Sequence, residues 1–181
     1  MMAKENLKKE KSSKLINMQY SWIVLIIFTF LNVFHVNAEE TFNPKTEITD
    51  LRTLKGGKKV DAYETLGNKP TLLFFAASWC GPCAKFAPIF SEFHKKNAKH
   101  YDLVVVCRDK RRSSGTAFLR KNKIKEGFIV FPGDVEKKIV KTLNAAEVPK
   151  LIVIGSDGKV LERNAHFHFK SDMGFPDKWK K

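Results

Sequence analysis

Two cysteines three positions apart are the residues of this sequence best suited to covalent chemistry. They are Cys80 and Cys83, in the run Trp79-Cys80-Gly81-Pro82-Cys83. Disulfide exchange needs one thiolate that attacks sulfur and a second thiol close enough to resolve the mixed disulfide that results. One turn of helix brings positions i and i+3 together. We therefore predict that Cys80 is the nucleophile and Cys83 the resolving thiol.

A junction between a strand and a helix would activate Cys80. The run 71–76 is continuously apolar, which is typical of a strand buried on both faces, and helical character follows over 82–98. The unpaired N–H groups and positive dipole at the start of a helix favour a thiolate placed there. We expect Gly81 to leave space for a substrate and Pro82 to fix φ where no N–H is needed.

Two other roles of a C-x-x-C pair, as ligands of a zinc ion or as a structural disulfide, have weaker support in this sequence. A structural zinc ion needs four ligands, and His166 and His168 are only two positions apart, so on a strand they would share one face as surface residues. A disulfide that closes a four-residue loop restricts the unfolded chain little. We expect no metal site, and no cofactor beyond a redox-active Cys80–Cys83 disulfide.

The remaining elements surround this junction in an α/β pattern. We predict strands at 102–107, 128–131, 151–154 and 159–163, helices at 113–121 and 134–143, and a short strand or helical turn at 60–66. The face of the first long helix that holds Phe86, Ile89, Phe90 and Phe93 should pack on the core, and Cys107 should be a buried core thiol. The order predicts one α/β domain, with helices flanking a central mixed sheet that has a parallel part and an antiparallel edge.

The N-terminal residues carry a targeting pattern instead. Five lysines precede the thirteen uncharged residues 22–34, and Val36 and Ala38 suit a signal-peptidase site. Because a spanning helix needs about 20 apolar residues, we expect a signal peptide over 1–38 and a secreted or luminal protein. The alternative is an uncleaved membrane anchor at 22–36.

The basic charge belongs to the rest of the chain. The sequence has 33 Lys and Arg against 19 Asp and Glu, a net charge of +14, and residues 1–38 contribute only three of those net charges. We expect 39–59 to be a lead-in segment and 60–181 the folded domain. The charge can attract an anionic partner, but no aromatic-interleaved basic stripe is visible, so we expect no specific nucleic acid. We expect a monomer that meets a membrane only if the leader is uncleaved.

The motif and its context resemble the thioredoxin superfamily. Trp79-Cys80-Gly81-Pro82-Cys83 follows a strand ending Phe-Phe-Ala-Ala-Ser, Pro88 is similar to the proline inside the family's active-site helix, and Val148-Pro149 matches its cis-proline site. Within the superfamily, Phe75-Ala76-Ala77-Ser78-Trp79-Cys80 is similar to the F-S-A-S-W-C of tryparedoxins and nucleoredoxins. The resemblance covers 60–163 and extends in shorter pieces nearly to the C-terminus.

This resemblance implies a thioredoxin-like fold and roles for further residues. Pro149 would lie against the cysteine pair and present backbone groups to the substrate. Apart from the resemblance, we expect Trp79 to be an exposed flat surface beside the nucleophile. Phe74 stands where thioredoxins carry a buried Asp, so proton transfer from Cys83 must use another group or water. Asp109, which follows the second strand where tryparedoxins have a Trp-Asp pair, is the candidate.

The predicted function is thiol–disulfide oxidoreduction. The chain would reduce or exchange protein or small-molecule disulfides and would itself be reduced by a thiol. Gly-Pro between the cysteines favours reduction, while net oxidation or isomerisation stays open. The alternative from another class is a basic binding module of the same fold with a structural or vestigial cysteine pair.

Overall fold

A computed structural model of the chain describes residues 41–170 and 172–180. The predicted leader, 1–38, lies outside these residues. The helices are α1 (Pro44–Glu47), α2 (Ala62–Thr65), α3 (Gly81–Asn97), α4 (Arg112–Lys121) and α5 (Asp134–Thr142). The strands are β1 (Leu51–Thr53), β2 (Lys59–Val60), β3 (Thr71–Ala76), β4 (Asp102–Cys107), β5 (Phe128–Val130), β6 (Lys150–Ile154) and β7 (Val160–Glu162). Short 3-10 helices occupy Ala98–His100, Ala165–His168 and Asp177–Trp179.

All seven strands form one mixed sheet in the order β2-β1-β5-β4-β3-β6-β7. Strands β3, β4 and β5 are parallel to one another, and every other pairing is antiparallel. The predicted α/β fold with a central mixed sheet is therefore confirmed. In the described part of the chain no helix is both long and apolar enough to cross a membrane.

Strands β3 and β4 owe their central position to apolar sequence that is interrupted only by Thr71 and Asp102 at their first positions. Every residue of β3 and β4 is buried, because both faces of this part of the sheet are covered. Leu72 and Phe74 face one core cluster, while Leu73 and Phe75 face the other. Because successive side chains of a strand point to opposite faces of the sheet, this one run of residues contributes to both core layers.

Helix α3 covers the first of these layers and leads away from the predicted nucleophile. Phe86, Phe90 and Phe93 are buried in that layer, as predicted. Ile89 is 38% exposed, so its predicted place on the core face is wrong. It lies about 60° around the helix from Phe86 and therefore at the border of the apolar stripe.

Residues 41–59, most of the predicted lead-in segment, contribute to the sheet and to the second core layer. Strand β1 pairs with β5, and Phe42, Ile48 and Leu51 are at most 2% exposed. These three apolar residues are separated by polar ones with neither a helical nor a strand period, so their burial depends on pairing with residues far away in the chain.

Candidate active site

Cys80 is the N-cap residue of α3, where β3 passes through a short loop into the helix. Its Sγ accepts the backbone N–H of Cys83 at 3.0 Å. The two cysteines form a disulfide with their Cα atoms 5.1 Å apart. The first turn of α3 carries no acidic side chain, so no negative charge in that turn opposes the positive end of the 17-residue helix beside Cys80.

The two cysteines differ in access. Cys83 is fully buried, and Cys80 retains 4% exposure beside Trp79, which is 68% exposed. A Cβ added to Gly81 would meet no described atom within 4 Å, and Pro82 is exposed in the first turn. The accessible side of the pair is therefore the one formed by Trp79, Gly81 and Pro82.

Pro149 lies at the same end of the sheet. The Val148–Pro149 peptide bond is cis, and the next residue, Lys150, pairs with Phe75 of β3. Pro149 therefore sits level with the end of β3 that leads to Cys80. Val148 packs against the core cluster that contains both cysteines.

Aromatic rings form the floor beneath the pair. Phe74, fully buried, has its ring centroid 5.5 Å from that of Phe86 and 5.0 Å from that of Phe90. Cys83 belongs to the same cluster and is one helical turn before Phe86. The side chains of this cluster therefore form an apolar environment around Cys83.

Asp109 is buried beside the loop that precedes the nucleophile. Its carboxylate accepts the backbone N–H of Ser78 at 3.0 and 3.1 Å and the Ser78 hydroxyl at 2.5 Å. The thiol of Cys107 donates to it at 3.6 Å. These contacts hold the loop two residues before Cys80, while proton transfer from Cys83 by Asp109 stays a prediction.

Cys107 is the core thiol that the sequence predicts. It is 1% exposed. Burial raises its pKa to about 12; a backbone hydrogen bond with Asp109 opposes this rise, and the negative charges of Asp109 and Glu136 add to it. Cys107 is therefore a neutral thiol near neutral pH and not a second nucleophile.

His166 is the residue near the site that the sequence reasoning misplaces. The expectation of a surface strand is wrong, because His166 lies on the 3-10 helix Ala165–His168, half-buried, with its ring 6.2 Å from that of Phe86. Burial and then the charge of Lys150 lower its pKa, against the opposing charge of Glu147. Its Nδ1 is buried and has no hydrogen-bond partner among the described residues.

The imidazole of His166 is therefore a neutral polar group on the Pro149 side of the site. The sequence signal that could have placed His166 near the site is its position soon after the hairpin that follows Pro149. Within 41–170 and 172–180, no three His, Cys, Asp or Glu side chains are grouped to hold a metal ion.

Comparisons with known proteins agree with this geometry. The family model described as "Thioredoxin-like" matches residues 67–160. Thiol-disulfide oxidoreductase ResA of a Bacillus cereus strain is 31% identical over 123 residues, which cover 66% of this chain and 65% of that protein. Tryparedoxin of Trypanosoma brucei brucei is 31% identical over 98 residues, 51% of this chain and 65% of the relative.

A solved structure extends the comparison to three dimensions. Native tryparedoxin I of Crithidia fasciculata superposes with a TM-score of 0.60 at 28% identity, covering 74% of this chain and 93% of that one. The predicted resemblance to tryparedoxins is confirmed, and a human nucleoredoxin-like protein matches as well. The chain spans just under two thirds of the length of the first curated relatives that it matches.

The family model covers more than half of the chain and includes the cysteine pair, the cis-proline and the strands between them. The chain belongs to the thioredoxin-like family.

Proposed function

We propose that this protein is a thiol–disulfide oxidoreductase that reduces or exchanges disulfides through Cys80 and Cys83. One observation carries the proposal: Cys80 caps a long helix with its Sγ on the N–H of Cys83, and Cys83 is buried directly behind it in the same disulfide. This arrangement stabilises negative charge on one sulfur and keeps the second within reach of it.

The reaction has two exchange steps. The Cys80 thiolate attacks one sulfur of the substrate disulfide, forms a mixed disulfide and expels the other substrate sulfur as a thiolate. The Cys83 thiolate then attacks Cys80 Sγ, which forms the Cys80–Cys83 disulfide and releases the second substrate sulfur. Two electrons pass from the protein dithiol to the substrate, and an external thiol restores the dithiol by the reverse chemistry.

The surrounding residues support this sequence of steps. Trp79 offers an exposed flat surface to the substrate, and Gly81 and Pro82 leave the approach open. Pro149 is proposed to present backbone groups from the opposite side. Asp109 is proposed to fix the loop through Ser78 and, as predicted from the sequence, to take the proton of Cys83.

Two variants test the chemistry. Cys80→Ser is expected to abolish insulin disulfide reduction, while Cys83→Ser is expected to accumulate a mixed disulfide through Cys80, detected by mass. Cys107→Ala is the control, because that thiol is buried and protonated, and it should keep reducing insulin. Wild-type activity in Cys80→Ser would refute the proposal. No specific observation favours the alternative of a binding module with a vestigial pair.

A redox titration of the Cys80–Cys83 couple decides the direction of electron flow. A potential near that of thioredoxin, about −270 mV, indicates a reductase, and one above about −180 mV indicates an oxidase or isomerase. The Gly-Pro dipeptide supports the reductase. The proposed partners are accordingly protein or small-molecule disulfides and a thiol reductant.

The proposed location is outside the cytosol, by way of residues 1–38. The support is the apolar run 22–34 followed by Val36 and Ala38, which lie outside the described residues. N-terminal sequencing of the protein from its native source should begin at Glu39. An intact chain in the membrane fraction would replace this proposal with the anchor at 22–36.

A further inference from the structure

The active-site loop has a basic neighbour at the same edge of the sheet. Strands β3, β4 and β5 are parallel and in register, with Ala76 beside Cys107 and Val106 beside Val130. Their C-terminal ends therefore meet at one edge. The segment after β4 touches the loop before Cys80 directly, through the bond between Asp109 and Ser78.

A cavity of about 390 Å³ opens at this edge, between the segment after β4 and helix α5. We call it the basic pocket. Four of its lining side chains are the cations Arg108, Lys110, Lys137 and Lys141. Its apolar lining comes from Pro132 and Val140.

The carboxylates of the basic pocket are already engaged within the protein. Glu136, 6% exposed, forms an ion pair with Arg108 at 2.5 Å, and Asp109 accepts hydrogen bonds from Ser78. Lys137 lies 3.7 Å from the fully exposed Asp134. In the described part of the chain Lys110 and Lys141 form no ion pair.

The basic pocket therefore presents uncompensated positive charge in a concave, partly apolar site next to the loop that precedes Cys80. A lysine ammonium is a point charge suited to a single carboxylate. The pocket adjoins the loop before Cys80 through the bond between Asp109 and Ser78, so a substrate held at Cys80 can reach it with the residues that flank its own cysteine.

We propose that the basic pocket binds an acidic segment of a protein substrate, with Asp or Glu side chains close to the reacting cysteine. This rests on the proposed function. The pocket lies one to two strands away from β3, and strands are about 4.8 Å apart while an extended chain advances about 3.3 Å per residue. The acidic residues are therefore expected within about four positions of the substrate cysteine.

The test compares reduction of two disulfide peptides by the full-length protein. The peptides are identical except for two glutamates or two glutamines within four positions of one cysteine. At about 20 mM salt the glutamate peptide should react about tenfold faster, and at about 500 mM salt the preference should largely vanish. The quantity compared is the ratio of the two second-order rate constants.

Matched charge variants locate the effect. Lys110→Gln combined with Lys141→Gln should bring the ratio down to about two or less. The control combines Lys95→Gln and Lys99→Gln. Both lysines are exposed, Lys95 in the last turn of α3 and Lys99 in the 3-10 helix that follows it, about 20 Å or more from Cys80, and this variant should keep the full ratio. A wild-type ratio near one, or a ratio unchanged in the pocket variant, overturns the proposal while the reductase function stands.

A binding measurement separates this proposal from the proposed function. A fluorescent, cysteine-free acidic peptide should bind the wild-type protein at least about fivefold tighter than the pocket variant at low salt. If the wild-type protein shows this tighter binding but reduces neither disulfide peptide, the proposed reductase function is refuted while the proposal that the basic pocket binds acidic segments is supported. Equal or tighter binding of a single-stranded oligonucleotide, or of phosphatidylserine vesicles, through Lys110 and Lys141 would overturn the acidic peptide as the occupant.

Discussion

Replacing Asp109 by Asn tests whether the active-site loop is held by this carboxylate. The side chain is 3% exposed, and its two oxygens accept the backbone N–H and the hydroxyl of Ser78. Asparagine keeps the shape and one acceptor oxygen. It removes the negative charge and places an NH₂ group where the second oxygen accepted a hydrogen bond.

The magnitude follows from those contacts. A hydrogen bond to a charged group contributes about 1.5–3 kcal/mol to stability. Asparagine can retain one such contact in a weaker, neutral form, and Ser78 is exposed, so water can replace part of the loss. We therefore expect Asp109→Asn to lower the free energy of unfolding by about 2 kcal/mol, or the unfolding midpoint by about 6–10 °C for a domain of this size.

Urea unfolding of the oxidised protein measures this change. Asp177→Asn is the matched control, because Asp177 is an exposed carboxylate whose partner is the nearby Lys180, and no measurable change is expected. A double-mutant cycle of Asp109→Asn with Ser78→Ala should show a coupling energy of about 1 kcal/mol. A loss below about 0.5 kcal/mol with no coupling would refute the positioning role. A slower Cys83 resolving step at unchanged stability would instead support proton transfer by Asp109.

Three further outcomes are expected. Gly115→Ala should cost about 1–3 kcal/mol of unfolding free energy, because its Cβ would overlap with Sγ of Cys107, whereas Gly174→Ala, which meets no described atom within 4 Å, should be neutral in the same urea titration. Burial lowers the pKa of His94 below 6.5. The stability that the neutral His94 imidazole contributes is therefore fully present above pH 6.5 and is lost as the pH falls towards the folded-state pKa. Replacing His94 by Gln should therefore reduce the fall in thermal stability between about pH 7 and 5. Trp179→Ala should cost about 3–5 kcal/mol in urea unfolding, because the indole is 2% exposed; a loss below about 1 kcal/mol would contradict its role as a core residue.

The sequence predicts the central part of this fold because its signals there are local. Strands β3 and β4 are apolar runs with the predicted bounds, and α3 has both a proline at its start and an apolar stripe. The cysteine pair lies where these two kinds of pattern meet. Because that junction consists of a strand followed directly by a helix along the chain, it can be predicted from local sequence without knowledge of any other element.

The rest depends on contacts between distant residues. Strand β1 has only three residues and exists because it pairs with β5. The bond between Ser78 and Asp109 joins positions 31 apart. The sequence analysis treats His166 as a surface residue on a strand, whereas β7 ends at Glu162 and His166 lies on a 3-10 helix.

The different roles proposed for the two cysteines follow from where the helix places them. Cys83 is buried in a cluster with Phe74 and Phe86, and desolvation disfavours a thiolate in such surroundings. Cys80 receives an N–H donor and the positive end of α3, and both stabilise its negative charge. These differences support the proposal that Cys80 is the nucleophile that meets the substrate and that Cys83 resolves the mixed disulfide. Under that proposal helix position and burial set the order of attack, because the two side chains are chemically identical.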